Sequence, residues 1–355
     1  MSTPETSPPT SPTAAADPLR PSAGARGLFL LVSLPALDEE QTVAQVIRGI
    51  PRDVDGIART EVLVVDDGST DRTSEEARGA GAVVIRKETP GGVGAAFKSA
   101  LEYAIESGAD LLVSIDADGQ FDPADIPELI APVLEGHADF TSASRFKDPA
   151  LVPAMPRIKI WGNRRMARLV SRLTGGSFHD VSCGMRCYGK RAILGLHPMG
   201  HFTYTQEVFL NLAFKQLRIV EVPIRVRGER EFGESRVAGS LWRYAVNTSA
   251  IIFRCYRDYH PMRFFGSIAL SMIVPAIALV GFLGVHYLRT GGFSPYKWTG
   301  FAGAALFALG LVFVHMGVVG DMLNRHRNYL EELLFRERQR LSRDRAAHTD
   351  DGDRQ

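Results

Sequence analysis

From residue 28 to about residue 173, short unbroken apolar runs alternate with longer segments of helical pattern. Leu28-Phe29-Leu30-Leu31-Val32 is followed by a helical pattern over residues 39–50, then by Val62-Leu63-Val64-Val65, and later by Leu111-Leu112-Val113-Ser114-Ile115. Strands that are apolar throughout are buried on both faces, and their alternation with helices predicts an α/β fold with a mostly parallel sheet covered by helices on both sides. Further on the pattern changes. Residues 264–288 and 298–320 contain no Asp, Glu, Lys or Arg, and each meets the requirement of about 20 apolar residues for crossing a bilayer. They predict two membrane helices, with Pro275 tolerated in the first because neighbouring helices can satisfy the freed carbonyl. Just before them, Leu241, Trp242, Tyr244, Ile251, Ile252 and Phe253 are mixed with arginines, a composition that suits amphipathic helices lying in the interface.

The expected organisation is a disordered tail over 1–27, a folded domain over 28–236, interfacial helices over 237–263, a transmembrane hairpin over 264–320 and a charged tail over 321–355, read as a solvated helix. The first 27 residues are rich in Pro, Ser, Thr and Ala and have no apolar run behind a basic start, unlike a signal peptide. Arg254, Arg257 and Arg263 precede the first span and Arg325, His326 and Arg327 follow the second, against Arg289 and Lys297 between them. That distribution predicts a two-pass protein of the cytoplasmic membrane, with the folded domain and both termini in the cytoplasm.

The 355 residues carry 41 basic and 40 acidic side chains, so no global field draws in nucleic acid, and anion recognition must be local. Three cysteines, Cys183, Cys187 and Cys255, make neither a disulfide framework nor a zinc ribbon.

In a parallel sheet ligands collect at the carboxyl ends of the strands. Three such ends here are acidic: Asp38-Glu39-Glu40, Asp66-Asp67-Gly68-Ser69 and Asp116-Ala117-Asp118-Gly119-Gln120. Asp116 and Asp118 stand at i and i+2 of an extended segment and project to one side, so both can offer oxygens to one Mg²⁺ or Mn²⁺, with the Gln120 carbonyl as a third ligand. A solvated Asp-Gly turn has the same sequence, so the neighbours must decide. Asp66-Asp67-Gly68-Ser69 also suits a turn capping a helix. Gly91-Gly92-Val93-Gly94 precedes a helical pattern and lacks the order of a P-loop or a dinucleotide fingerprint. His197 and His201 have metal-pair spacing, but Pro198 and Gly200 oppose the helix such a pair needs. Met166, Leu169 and Val170 read as a core face, and Arg164, Arg165 and Arg168 as its solvated surround, with Arg164 and Arg165 as an alternative contact for lipid phosphate.

The ordered set Ser33-Leu34-Pro35-Ala36-Leu37-Asp38-Glu39-Glu40, Val64-Val65-Asp66-Asp67-Gly68-Ser69-Thr70-Asp71, Asp116-Ala117-Asp118-Gly119-Gln120, Ser144-Arg145-Phe146, Asp180-Val181-Ser182-Cys183-Gly184-Met185-Arg186 and Gly233-Glu234-Ser235-Arg236 resembles the family 2 glycosyltransferases of GT-A fold. Within them it resembles the polyprenyl-phosphate branch that includes dolichol-phosphate mannose synthases. The resemblance covers residues 28–240, and the two spans also fit. It implies a GT-A, Rossmann-like domain that moves a hexosyl group, mannose or glucose, from a nucleotide-sugar to a polyprenyl phosphate. It implies a nucleotide-sugar pocket lined by Pro35, Leu37, Glu39, Asp66, Asp67, Asp116 and Ala117 and closed by a basic loop with Arg230 and Arg236. A Mg²⁺ or Mn²⁺ would sit on Asp116, Asp118 and Gln120, and Arg145, Arg157 and Arg164 would meet phosphate. Asp118, Arg145 and Asp180 would be the catalytic group, with Glu207 a further site candidate. Leu37 and Asp38 stand where the family usually has an aromatic and an Asn, Trp161 where it has a Ser-like residue, and Arg236 where Lys is commoner. Base and sugar are therefore left open.

A lipid monophosphate is largely ionised at neutral pH, its second pKa being near 6, and needs no general base. Asp180 is accordingly expected to orient the sugar rather than to abstract a proton, and the reaction to invert the anomeric centre. A non-catalytic nucleotide-sugar-binding subunit of a flippase system is the competing reading, as is a different lipid or glycan acceptor. A processive polysaccharide synthase would need a Gln-x-x-Arg-Trp motif and more spans, which the sequence lacks. Assembly as a homo-oligomer is compatible with the sequence.

Overall fold

The computed structural model describes residues 27–196, 205–227 and 241–352. Seven strands, β1 (Leu28–Ala36), β2 (Ile57–Asp66), β3 (Val83–Arg86), β4 (Leu111–Ser114), β5 (Phe140–Ser144), β6 (Arg186–Gly189) and β7 (Ile219–Pro223), form one sheet in the order β3-β2-β1-β4-β6-β5-β7. All pairings are parallel except those of β6, which runs antiparallel to both β4 and β5. Helices α1 (Val43–Gly49), α2 (Thr73–Gly79), α3 (Val93–Ser107), α4 (Ile126–Leu134), α5 (Arg157–Thr174), α6 (Lys190–Gly195) and α7 (Thr205–Phe214) cover the two faces. Side chains alternate across a strand, so Leu30, Val32 and Leu34 of β1 enter one core with Val43 and Ile47 of α1, while Leu31 enters the other with Phe97 and Leu101 of α3. This is the doubly covered, mostly parallel sheet expected from the unbroken apolar runs.

The order of strands brings the carboxyl ends of β1, β2, β4 and β5 to one edge of the sheet. Because β6 runs the other way, its entry at Arg186 lies at that same edge, beside Ser114 and Ser142. The start of the first helix differs from expectation: α1 begins at Val43 rather than at residue 39. Asp38 adopts φ 52°, and the amides of Glu39 and Glu40 donate to Thr73 Oγ1 and Asp71 Oδ2 across the β2 loop. These tertiary hydrogen bonds replace the first helical turn. On α5 the buried residues are Ala167 and Val170, and Leu169, expected in the core, is 40% exposed.

After β7 come α8 (Leu241–Tyr259), α9 (Pro261–Thr290) and α10 (Lys297–Gly352). Their apolar windows in α9 and α10 are only 11% and 17% buried, so protein does not cover them as it would the core helix of a soluble domain. They pack on each other through small residues. A Cβ on Gly303 would lie 3.0 Å from Ala276 O, one on Gly310 2.5 Å from Ile273 Cγ1, and one on Gly317 3.2 Å from Met262 Sδ. Small residues let helix backbones approach where no hydrophobic drive separates helix from lipid.

The expectation of a solvated charged tail is corrected by α10, which runs unbroken past Asp321 with one face on the sheet domain. The stretch after Gly320 has no Gly or Pro before Gly352, and the pairs Asp321–Arg325, Arg327–Glu331 and Glu332–Arg336 lie one turn apart along it, a spacing that supports helix. Phe335 packs against the core that contains α3 and α6 residues.

Gly310→Val should destabilise the α9–α10 pair by about 1–3 kcal/mol, the usual range for overpacking. Gly281→Val, at a position with nothing within 4 Å, should leave the unfolding midpoint of detergent-solubilised protein nearly unchanged.

Candidate active site

The loops after β1 and β2 are stitched together before any ligand is considered. Asp38 Oδ1 accepts from Thr70 N at 2.7 Å, and the Asp38 amide donates to Ser69 Oγ at 2.9 Å. Asp66 is fully buried; its carboxylate accepts from Ser69 N at 2.7 Å and from the Ser74 hydroxyl. Burial works against its charge, but the hydrogen bonds from Ser69 and Ser74 hold its pKa below the usual carboxylate range. Asp67 accepts from Gly91 N at 2.9 Å and Gly92 N at 2.6 Å, which ties the glycine-rich turn before α3 to the end of β2. Both acids are engaged by protein, so any contact they make with a nucleotide has to be shared with these bonds. Pro35 and Ala36 end β1, and Leu37 and Glu39 follow it, half-buried beside the β2 loop.

Asp116, Ala117 and Asp118 leave β4 at the same edge. The Ala117 carbonyl accepts from Thr42 Oγ1 at 2.7 Å, which fixes the acidic turn to the start of α1. Asp118 is buried and its Oδ1 accepts from Gln120 N at 3.1 Å. Asp116 is half-buried and lies against Gly184: a Cβ at that glycine would stand 3.0 Å from Asp116 Cγ. Only glycine lets the loop before β6 pass this close to the acid. The Gln120 carbonyl, expected as a metal ligand, accepts from Arg227 N at 3.0 Å, so it braces the segment after β7. That bond sets the described chain beside the acidic pair three residues before Arg230; Arg230 and Arg236 lie outside the described residues, as do His197 and His201. The carboxylate pair fits a hard divalent cation such as Mg²⁺ or Mn²⁺, since its donors are all oxygen. Among the described residues no third acid, His or Cys joins it, which leaves coordination positions for ligand oxygens.

At the end of β5, Arg145 forms a two-toothed pair with Asp180, Nε to Oδ2 at 2.6 Å and Nη2 to Oδ1 at 2.9 Å. Asp180 is fully buried, and its neighbourhood is closed: Arg145 Nη2 also donates to Ser182 Oγ, and Ser182 donates to Asn163 Oδ1 of α5 at 2.8 Å. Burial opposes the Asp180 charge, but the Arg145 guanidinium and its hydrogen bonds hold the carboxyl below the usual range. An acid so held is a poor proton acceptor. Glu221 of β7, buried, accepts from the amides of His179 and Asp180 at 2.9 and 2.7 Å, and so shapes the loop that carries Asp180. Its place was legible only as an acid inside the apolar run Ile219-Val220-Glu221-Val222. Ser182 and Gly184 were legible only as members of the 180–186 motif, and Thr42 and Asn163 had no sequence signal of their own. Arg186 is fully buried and donates to the carbonyls of Cys183, Val181 and Thr205, joining this loop to the start of α7.

Arg157 opens α5 and Arg164 stands two turns on, both exposed. Glu207 of α7 lies near Cys255 of α8, whose thiol is pushed up to about 12 by burial and by the Glu207 charge.

Asp180→Asn should lower the unfolding free energy by about 3 kcal/mol, because Arg145, 17% exposed, loses its carboxylate. An acid with a depressed native pKa contributes stability above its unfolded value of about 3.9 and loses it as pH falls through the native value. Acid titration of thermal stability should therefore fall less steeply below about pH 4 in the variant than in the parent.

The profile of glycosyl transferase family 2 matches residues 32–194. A dolichyl-phosphate hexose transferase of Haloferax volcanii is 34% identical over 222 residues, which cover 62% of this chain and 92% of that protein. An undecaprenyl-phosphate 4-deoxy-4-formamido-L-arabinose transferase of Klebsiella pneumoniae is 26% identical over 83% of this chain and 88% of its own length, a match too long to be confined to the sheet domain. Among solved structures, the glucosyl-3-phosphoglycerate synthase of Mycobacterium tuberculosis in complex with Mn²⁺, UDP-glucose and phosphoglyceric acid aligns at a TM-score of 0.52 and 25% identity, over 64% of this chain and 80% of that one. With its strand order, its acidic strand ends and these relatives, the chain belongs to glycosyl transferase family 2.

Proposed function

We propose that this membrane protein is an inverting glycosyltransferase that moves a hexosyl group, mannose or glucose, from a nucleotide-sugar to polyprenyl phosphate at the cytoplasmic face of the membrane. The observation that carries the reading is one juxtaposition. The acidic pair Asp116–Asp118 lies at the ligand edge of a sheet domain whose chain continues into two apolar helices left uncovered by protein. A water-soluble donor and a lipid-borne acceptor can meet there. The relatives named for transfer to dolichyl and undecaprenyl phosphate support the acceptor class.

Pro35, Leu37, Glu39, Asp66, Asp67 and Ala117 are assigned to the nucleotide side, and Arg230 and Arg236 to a basic loop that enters beside Gln120. Asp116 and Asp118 would hold Mg²⁺ or Mn²⁺, which when bound supplies positive charge to offset the leaving diphosphate. The phosphate oxygen of the acceptor attacks the anomeric carbon, the bond from that carbon to the diphosphate oxygen breaks, and the nucleoside diphosphate leaves. The acceptor arrives ionised, so no proton needs removal. This matches an Asp180 committed to Arg145: the acid sets the guanidinium, and the guanidinium serves the growing phosphate charge. Arg157 and Arg164 are assigned to the acceptor phosphate. They lie on a helix with six basic and no acidic residues, whose exposed Ile158 and Trp161 and the Arg165 side chain over the Trp161 ring suit an anionic lipid surface. The arginines flanking both spans support a two-pass topology with both ends in the cytoplasm.

Membranes containing the protein, given labelled nucleotide-sugars and a short polyprenyl phosphate, should form a lipid product that a chelator abolishes. Donor binding with no release of nucleotide would instead favour a non-catalytic sugar-nucleotide binder. Asp118→Ala should abolish the product while the protein stays in the membrane. Gly184→Ala, which crowds Asp116 while leaving both carboxylates in place, should raise the Mn²⁺ concentration giving half-maximal rate about 10–100-fold.

A further inference from the structure

The cytoplasmic half of α10 is held by one face that begins inside the membrane. Gly303, Gly310 and Gly317 of α10 pack against α9, and the next residues at the same seven-residue interval are Asn324, Glu331 and Arg338. A seven-residue step turns a helix by only about 20° from its starting face, so a single seam changes partner on leaving the bilayer. Asn324 Nδ2 donates to the Tyr259 carbonyl at the corner between α8 and α9, at 3.4 Å. Glu331 pairs with Lys215, just beyond the end of α7, at 2.9 Å. Arg338 Nη1 donates to the carbonyls of Leu196 at 2.8 Å and Leu194 at 3.3 Å.

Lys215 also donates to Gly195 O at 2.6 Å, so two cations satisfy three carbonyls at the end of α6, groups that a helix terminus leaves without intrahelical partners. Burial pushes the Lys215 ammonium below its ordinary pKa, and Glu331 pulls against that shift. Arg327 adds a bond to Asn324 Oδ1 at 2.6 Å and stacks 3.9 Å over the Tyr259 ring. From Asn324 to Arg338 the helix rises about 21 Å; at its base Asn324 holds the α8–α9 corner, and Glu331 and Arg338 grip the sheet domain at two heights above it. None of these contacts touches the acidic edge. Strand β6 leaves the sheet at Gly189 beside Leu111, the start of β4, and α6 therefore lies at the edge opposite Asp116 and Asp118.

We propose that the cytoplasmic half of α10 is a strut that sets the height and tilt of the donor crevice over the bilayer, with Lys215, Glu331 and Arg338 as positioning residues for a membrane-borne acceptor. The inference rests on the proposed transfer to a lipid phosphate for its kinetic consequence, and on geometry alone for the height. A rigid helix with no Gly or Pro between Asp321 and Asp351 transmits position from the α9–α10 pair to the domain. The paired charges lock it, since an ion pair between half-buried groups has one geometry.

The test uses full-length protein in liposomes, with Glu331→Lys, Lys215→Glu, the double exchange and the milder Glu331→Gln. Domain height is read by energy transfer from a fluorophore on Glu75→Cys, an exposed position on α2, to a headgroup dye. Transfer is measured with a long-chain acceptor in the bilayer and with a short, water-soluble polyprenyl phosphate. Each single exchange should change the energy transfer and raise KM for the bilayer acceptor roughly tenfold, the scale of coupling between contacting residues. The soluble acceptor should keep its kcat and KM, Glu331→Gln should shift both readouts in the same direction by less, and the double exchange should move both back toward the parent. Equal losses on both acceptors, or unchanged energy transfer, would overturn the strut. If the parent forms no lipid product with any donor, the proposed reaction fails, and unchanged energy transfer alone then overturns the strut.

Discussion

A carboxylate wholly removed from water must be paired, and the arrangement of the ligand edge depends on how Asp180 meets that requirement. Its partner Arg145 stands at the end of β5, its backbone amide is held by Glu221 of β7, and its neighbour Ser182 is bonded to Asn163 of α5. Three elements remote in sequence are thereby set around one buried charge. Breaking such a pair costs far more than forming it gains, because the remaining charge is stranded. The constraint therefore fixes position more than it adds stability. It places Gly184 against Asp116 and so decides where the acidic pair points.

The other acids of the edge follow the same rule. Asp66 and Asp67 are out of water and take their hydrogen bonds from the loops around them. What reaches a ligand is then a small set of groups whose orientation is already set, as preorganised electrostatic stabilisation requires. A site of this kind suits a reaction in which charge grows on a diphosphate and the nucleophile arrives ionised.

The membrane part completes the geometry. The glycine seam of α10 lets two helices pack where lipid offers no hydrophobic drive, and the same helix continues as the buttress behind the sheet. Charge on its outer turns conceals this from a reading by composition: Glu331 and Arg338 look like any solvated residues until Lys215 and the end of α6 are brought against them.

The sequence by itself determined the parallel sheet, the two long apolar helices and the acidic strand ends. Each rests on local information: unbroken apolar runs, length without charge, and polar residues where a strand must stop. Asp116 and Asp118 were legible for that reason, as acids two positions apart just past the end of an apolar strand, where the chain turns. Only the tertiary structure decided that Asp180 serves Arg145, that the Gln120 carbonyl braces Arg227, that Glu39 belongs to a turn and not to α1, and that Gly184 makes room for Asp116. It also turned a charged tail into a docked helix. Each of these outcomes is a contact between residues tens to more than a hundred positions apart, and the partner a polar group finds across such a distance is set by the sheet's strand order, which no local pattern contains.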